Sequence, residues 1–432
     1  MSARPFHMGW FVGGGFSVKA WSQEWAGTNA RDWATGEIII DLARSLDRAC
    51  FDYVIVEDSS NVPYTHGGTS EAYLKQVMSV MKNDPAPLIP LMAQATSHIG
   101  LIPTLSTTEY PPFLLARLVN TLDHLSRGRA GWNIVTGSND GGAQNYGRDK
   151  QIDHDLRYDM ADEFFDLVCR LLESWEPDAV IMDRQNGVFV DHTKVHPVDF
   201  EGRFYKCRGP LNSMRSPQVR PVFCQAGGSP RGRDFAARSA DTIICHVNGV
   251  AEMKAYRADV RRRLEAVGRK PDHCKVMFVL NPVLGETDEE ARTRYERSLA
   301  MINADLEPHI AELSRTTGTD LSAYDIDEPL PAIESNGHRS LAANLVGKTL
   351  REVAGVYPNT CVPVHGTPAG VAAQMDEIMQ EVEGDGFLII NRWFSRRFVA
   401  EIVDGLVPEL QRRGLVRTSY TFDHFRDNLL EF

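Results

Sequence analysis

Runs of mostly apolar residues alternate along this chain with longer segments whose apolar positions recur at i, i+3 and i+4, the signatures of buried strands and amphipathic helices. The strand-like runs are HMGWFVG (7–13), YVIVED (53–58), IGLIPTLST (99–107), AGWNIVTG (130–137), PVFCQAG (221–227), DTIICHV (241–247), KVMFVLNPV (275–283) and GFLII (386–390). Between them lie helical segments such as EIIIDLARSLDRA, PPFLLARLVNTLDHL, RYDMADEFFDLVCRLLESW and GTPAGVAAQMDEIMQEV. Strand and helix in strict alternation imply parallel strands joined by right-handed crossovers. Eight units in series predict an α/β fold of the closed (β/α)8 barrel type, a single domain over residues 1–432. Residues 59–87, 178–220 and 303–366 are too long for ordinary βα loops and are read as insertions forming lid and substrate-pocket elements.

In such a barrel the site is built at the carboxyl ends of the strands, so polar residues there carry the functional reading. Strand two ends in Glu57 and Asp58, strand three in Thr104, Ser106, Thr107 and Thr108, and strand four in Asn133, Thr136 and Gly137. These are hydrogen-bonding groups without a strong base or nucleophile, a set suited to holding a polar heterocycle. In DHDLRYDMADEFF, His154 and Tyr158 are four apart and share a helical face, near enough to a helix start to reach a phosphate or a ring edge. In CQAGGSPRGRDFAARSAD an apolar strand gives way to Gly227, Gly228 and Ser229 before a helix that opens near Pro230. Consecutive N–H groups at a small-residue turn, aided by the helix dipole and the Ser229 hydroxyl, form an anion cradle, and phosphate is its natural occupant. The spacing matches neither the P-loop nor the dinucleotide fingerprint.

Composition narrows the classes. A hydrophobic share of 43% with 24% charged residues is that of a globular enzyme. The net charge of −12 argues against nucleic acid, and the basic stretch RADVRRRLEAVGRK reads as the solvated face of a helix. No run approaches the ~20 apolar residues of a membrane span, the N-terminus lacks a signal-peptide core, and a cytoplasmic location is expected. Seven scattered cysteines read as reduced, mostly buried thiols. His192 and His196 in HTKVH have a ligand-like interval but no third ligand, so no metal is expected, and no G-x-S-x-G elbow is present.

Taken together and in order, STTEYPPFLLARLVNTLDHLSRGRAGWNIVTG, DHDLRYDMADEFFDLV, the long stretch from GRFYKCRGPLNSM through CQAGGSPRGRDFAARSADTII, HGTPAGVAAQMDEIM and VPELQRRGLVRT resemble the two-component, reduced-flavin monooxygenases related to bacterial luciferase. The subgroup includes nitrilotriacetate and EDTA monooxygenases, dibenzothiophene-sulfone monooxygenase, the pristinamycin IIA synthase subunit and long-chain alkane monooxygenase. The resemblance implies FMNH2 supplied by a separate NAD(P)H:flavin reductase, O2 as co-substrate, and oxygenation of a small organic molecule through a flavin peroxide, in a homodimer or homotetramer. It places Gly228, Ser229, His154 and Tyr158 at the cofactor phosphate and Asp58, Thr104, Asn133 and Thr136 along the ring. Asn133, Thr104 and His338 become the catalytic candidates, and His7, Trp10, Phe11 and Phe16 the substrate wall.

Two stretches depart from the subgroup. VKAWSQEW lacks the Trp-Arg-His-Pro-like segment after strand one, and VGKTLREVAGVYPNTCVPVHGTP is unusual. Both flank the expected substrate pocket, so the substrate is not transferable from a named relative. A deazaflavin-dependent oxidoreductase on the same barrel and a non-catalytic flavin-binding partner subunit are the alternatives.

Overall fold

The computed structural model describes residues 4–13, 18, 21, 27–391 and 395–432. Eight parallel strands close into a barrel: β1 (His7–Val12), β2 (Tyr53–Val56), β3 (Gly100–Ser106), β4 (Gly131–Val135), β5 (Val222–Gln225), β6 (Thr242–Cys245), β7 (Lys275–Leu280) and β8 (Gly386–Ile390). Neighbours in the chain are neighbours in the barrel, and β8 closes it on β1 in a register running from His7↔Gly386 to Phe11↔Ile390. Each strand lies within one of the eight apolar runs. The helices used below are α1 (Glu37–Arg48), α2 (Pro85–Ala95), α3 (Pro112–Leu125), α4 (His154–Leu172), α5 (Pro230–Ser239), α6 (Gly249–Ala266), α7 (Asp288–Ala304), α8 (Glu307–Thr317), α9 (Arg339–Leu345) and α10 (Pro368–Val382).

Because successive strand residues point to opposite faces, the strands divide their side chains between two cores. Tyr53, Ile55, Ile102, Val222, Cys224, Met277 and Leu388 form one cluster drawn from strands all round the barrel, which fills its lumen. Their chain neighbours, such as Val54, Val56, Leu101, Phe223, Phe278 and Phe387, pack outward with the buried stripes of α1 and α10. Phe425 and Leu429 join the lumen cluster from the short C-terminal helix Phe425–Leu429, and a Cβ on Gly100 would stand 2.5 Å from the Phe425 ring. The amino-terminal end of the barrel is thereby plugged, and the carboxyl end is left for a site. In α6, Arg257 corrects the reading of its basic stretch as solvated: it is fully buried, with its Nε 2.7 Å from Asp385 Oδ2.

The insertions differ from one another. Residues 178–220 carry two antiparallel hairpins, Val180–Asp183 with Val188–Val190 and Phe200–Glu201 with Lys206–Cys207. They lie against the outer helices: Asn120 of α3 donates to Ser213 Oγ at 3.1 Å, and Glu163 of α4 accepts the N–H groups of Phe204 and Tyr205 at 2.9 and 2.7 Å. The other two insertions meet over the open end. Tyr73 donates to the Ala311 carbonyl at 2.8 Å, Gly67 N–H to Asp320 Oδ1 at 3.0 Å, and Tyr73, Met78 and Ala311 share an apolar cluster.

Candidate active site

The carboxyl ends of the strands open into a cavity of about 410 Å3. Phe11, Ile244, Val279 and Ile390 supply its apolar floor, the turn after β5 and the start of α4 one flank, and Ser79, Glu312 and Arg315 its roof.

In β4, Trp132 and Asn133 point to opposite faces. Trp132 is fully buried beside Phe164 and Phe223, and its Nε1 donates to the Leu105 carbonyl at 2.9 Å, so it is a packing residue. Asn133 turns into the cavity, where its Nδ2 donates at 2.9 Å to the Oγ1 of Thr104, its register partner on β3. Its Oδ1 is buried with no partner among the described residues. An unmade buried acceptor costs about 1–3 kcal/mol, which a ligand N–H would offset. Gly137 turns the chain away with φ at +73°, and a Cβ there would stand 2.6 Å from Gln151.

The turn after β5 is shaped for an anion. The Gly227 N–H turns back to Gln225 Oε1, and the Tyr256 hydroxyl holds the Gly227 carbonyl at 2.9 Å. Gly227 is therefore a support, and the N–H groups of Gly228 and Ser229 are the ones left without an acceptor among the described residues. Ser229 caps α5 by accepting the Gly232 N–H at 3.1 Å, with Pro230 in the first turn. A Cβ on Gly228 would stand 2.6 Å from Ser340 Oγ, so glycine keeps the cradle open. His154 and Tyr158, at the start of α4, flank it with ring centroids 5.2 Å apart; Gln225 Nε2 donates to the Tyr158 hydroxyl at 3.5 Å.

Titratable groups at the two sides of the cavity are pushed off their ordinary values. Burial raises the Asp58 carboxyl to about 7, against the pull of Lys82 and with help from Glu109 and Asp84. Lys82 is otherwise engaged with Glu57 and Ser59, at 3.0 and 2.8 Å. His338 faces the open cavity, yet the protein packed round it, then Arg315 and Arg157, hold its imidazole below the usual histidine range.

Asp58, Thr104, Asn133, Thr136, His154, Tyr158, Gly228 and Ser229 all line this one cavity, as do Phe11 and His338. Two substrate-wall expectations are corrected. His7 shares the inward face of Phe11 but lies four residues earlier, about 13 Å down the strand, where its Nδ1 donates to Asp52 at 2.7 Å and its ring stacks on Phe432 at 4.3 Å. Trp10 is on the outward face, packed edge-on to Phe51 and Phe398. Phe16 lies outside the described residues. Residues 178–220, read as a lid or pocket element, contribute no described lining residue to this cavity.

Arg157, Asn359 and Ser340 line the cavity without having been singled out from sequence. Arg157 had a legible signal: it shares the helical phase of Ala161, Phe164 and Val168, a charge on a buried stripe. Asn359 and Ser340 sit in the 303–366 insertion, where no periodicity marks a face. Asn359 Nδ2 is buried without a partner among the described residues, and its backbone adopts φ +55°.

Comparison with known proteins agrees with this geometry. Residues 15–385 match the family described as Luciferase-like monooxygenase. Dibenzothiophene-sulfone monooxygenase of Rhodococcus erythropolis (strain XP) is 36% identical over 442 residues, covering 99% of this chain and 96% of its own. Nitrilotriacetate monooxygenase component A of Aminobacter aminovorans is 33% identical over 404 residues, covering 90% of this chain and 88% of its own. The crystal structure of a riboflavin lyase with modified FMN and substrate riboflavin superposes with a TM-score of 0.91 at 30% identity, covering 99% of this chain and 96% of that one. The chain is thus an enzyme of the luciferase-like monooxygenase family, whose oxygenase barrel it carries from end to end.

Proposed function

We propose that this enzyme is the oxygenase component of a two-component system, taking FMNH2 from a separate NAD(P)H:flavin reductase and using O2 to oxygenate a small organic substrate. The observation that carries the reading is one cavity with an anion cradle at its flank and an unpaired acceptor over its barrel floor. The residues fit a flavin mononucleotide: Gly228 and Ser229 offer N–H groups and a helix N-terminus to a phosphate, and Asn133 Oδ1 offers an acceptor to a ring N–H. When bound, the reduced flavin supplies the electrons that activate O2.

The chain's own contributions are binding, orientation and exclusion of water. Thr104 fixes the Asn133 amide through the 2.9 Å hydrogen bond, so the free oxygen is aimed before a ligand arrives. Phe11, Val279 and Ile390 give the ring an apolar floor. The joined insertions, held by Tyr73 and Gly67, cover the mouth and limit access of bulk water. Asp58, with its carboxyl near 7, can hold or release a proton at neutral pH beside the bound ring.

The test is anaerobic titration of the protein with FMNH2, followed by 18O2 and candidate substrates with a generic flavin reductase. We expect saturable FMNH2 binding and one labelled oxygen in the product. Ser229→Asp should lower FMN affinity by at least ~100-fold, since a carboxylate then faces the phosphate, with the circular dichroism unchanged. Retained affinity in that variant would mean the cofactor lies elsewhere.

A further inference from the structure

Arg157 is a buried cation in no ion pair among the described residues. It is 1% exposed and lines the cavity. Its Nη1 donates to the Ile152 carbonyl and, at 3.3 Å, to Asn336 Oδ1; its Nη2 donates to the Asn336 carbonyl at 2.7 Å. Its Nε has no partner, and no carboxylate pairs with it among the described residues. Burial pulls its pKa down to about 10, helped by nearby Arg339 and opposed by Tyr158 and by the more distant carboxylates of Asp153 and Asp140. Of the other buried arginines, Arg257 is paired with Asp385 and Arg417 with Asp52, while Arg129 is held by the Ser126, Ala93 and Thr96 carbonyls and the Thr96 hydroxyl, with its Nε and both terminal nitrogens engaged. Arg157 differs from Arg129 in keeping a buried Nε donor unsatisfied on the wall of a cavity, and an unmade buried donor is costly, which points to an acceptor that arrives from outside the fold.

The surroundings say where that acceptor sits. Arg157 is between His154 and Tyr158 in α4, the two residues that flank the cradle. Its partner Asn336 also accepts the His154 N–H at 2.9 Å, so the guanidinium and the first turn of α4 are tied to the 303–366 insertion at one point. Four residues on, Ser340 of the same insertion stands against Gly228. The cradle thus has a third wall, supplied by the insertion and anchored by Arg157.

We propose that Arg157 supplies the counter-charge for a phosphate monoester in the cradle, with Ser340 as its insertion-side hydroxyl, and that Arg157 thereby makes the site select phosphorylated over unphosphorylated flavin. The proposal rests on the flavin reading above. Selection follows because an unphosphorylated flavin leaves the guanidinium uncompensated, whereas the phosphate forms a charge-assisted hydrogen bond with it.

Fluorescence titrations of the full chain with FMN and with riboflavin test it. The wild type should favour FMN by about 100-fold. In Arg157→Gln that preference should fall to within about threefold of unity while riboflavin affinity is unchanged, and Arg157→Lys should restore part of it. A folded Arg157→Gln that keeps the wild-type FMN preference overturns the proposal. Should Arg157→Gln not fold, Ser340→Asp leaves the Asn336 contact intact and sets a carboxylate against Gly228. It should weaken FMN at least ~10-fold and spare riboflavin, and equal retention of both ligands overturns the proposal as well. A wild type that binds neither flavin would sink the flavin reading itself, and the role of Arg157 with it.

Discussion

The two ends of β2 carry aspartates in opposite states. Asp52, just before the strand, is at the plugged end, where it accepts from His7 Nδ1, the Met8 N–H at 2.7 Å and Arg417 at 2.8 Å. Burial alone would raise its carboxyl, but His7 and Arg417 bring it down to about 2. Asp58, just past the strand, is at the open end, where burial lifts it to about 7. At the plugged end the charges around Asp52 are matched by protein. At the open end Asn133 Oδ1, Asn359 Nδ2 and Arg157 Nε have no partner among the described residues. On the proposed reading a ligand would complete the open end as folding completes the other, the division between stability and activity expected of this architecture.

Breaking the plugged end should give the largest effect. Asp52→Asn leaves Arg417 with Glu431 as its remaining carboxylate, and thermal or urea unfolding should register a loss of about 2–3 kcal/mol, while the folded fraction keeps its FMN stoichiometry. The wild-type Asp52 contribution is present above the unfolded carboxyl value and is lost as pH falls through about 2. A variant that instead kept its stability and lost FMN would erase the distinction between the ends.

Next in size is the reverse experiment at the mouth. Asn133→Leu removes an unmade acceptor, so stability should hold or rise by up to about 1 kcal/mol while FMN affinity falls roughly 10-fold. Loss of both together would show Asn133 to be a structural residue.

The smallest effect concerns Asp58. Its raised carboxyl favours the protonated form in the fold, so this stabilisation is full below the ordinary value of 3.8 and disappears as pH rises through about 7. Asp58→Asn should therefore remove an inflection near pH 7 from FMN affinity and leave the fold as stable at pH 8 as at pH 6. An inflection that survives would assign it to another group.

The barrel was legible because each strand is a short apolar run between helical periods, and the cradle because glycines, serine and proline fall at a strand-to-helix change. Inward and outward faces were harder. Trp10 and Phe11 are adjacent aromatics, and only the pleat distinguishes them. His7 has the correct face, but nothing in the local pattern says that its end of the barrel is plugged, since the plug comes from Phe425, far along the chain. Arg157 could have been found from its phase in α4. Ser340, Asn336 and Asn359 could not, because the insertion packs a separate small core around Leu321, Leu330 and Leu345, and nothing in its local pattern says that its polar residues face the barrel mouth.

The adjacency of Trp132 and Asn133 in β4 has an evolutionary corollary. Slipping that strand by one position would exchange indole and amide, driving a bulky ring into the lumen and burying a carboxamide among Phe164 and Phe223. Length changes within β4 are thereby disfavoured, so new substrate shapes are more readily reached by substitution of lining side chains or by rewriting the loops than by sliding the strand.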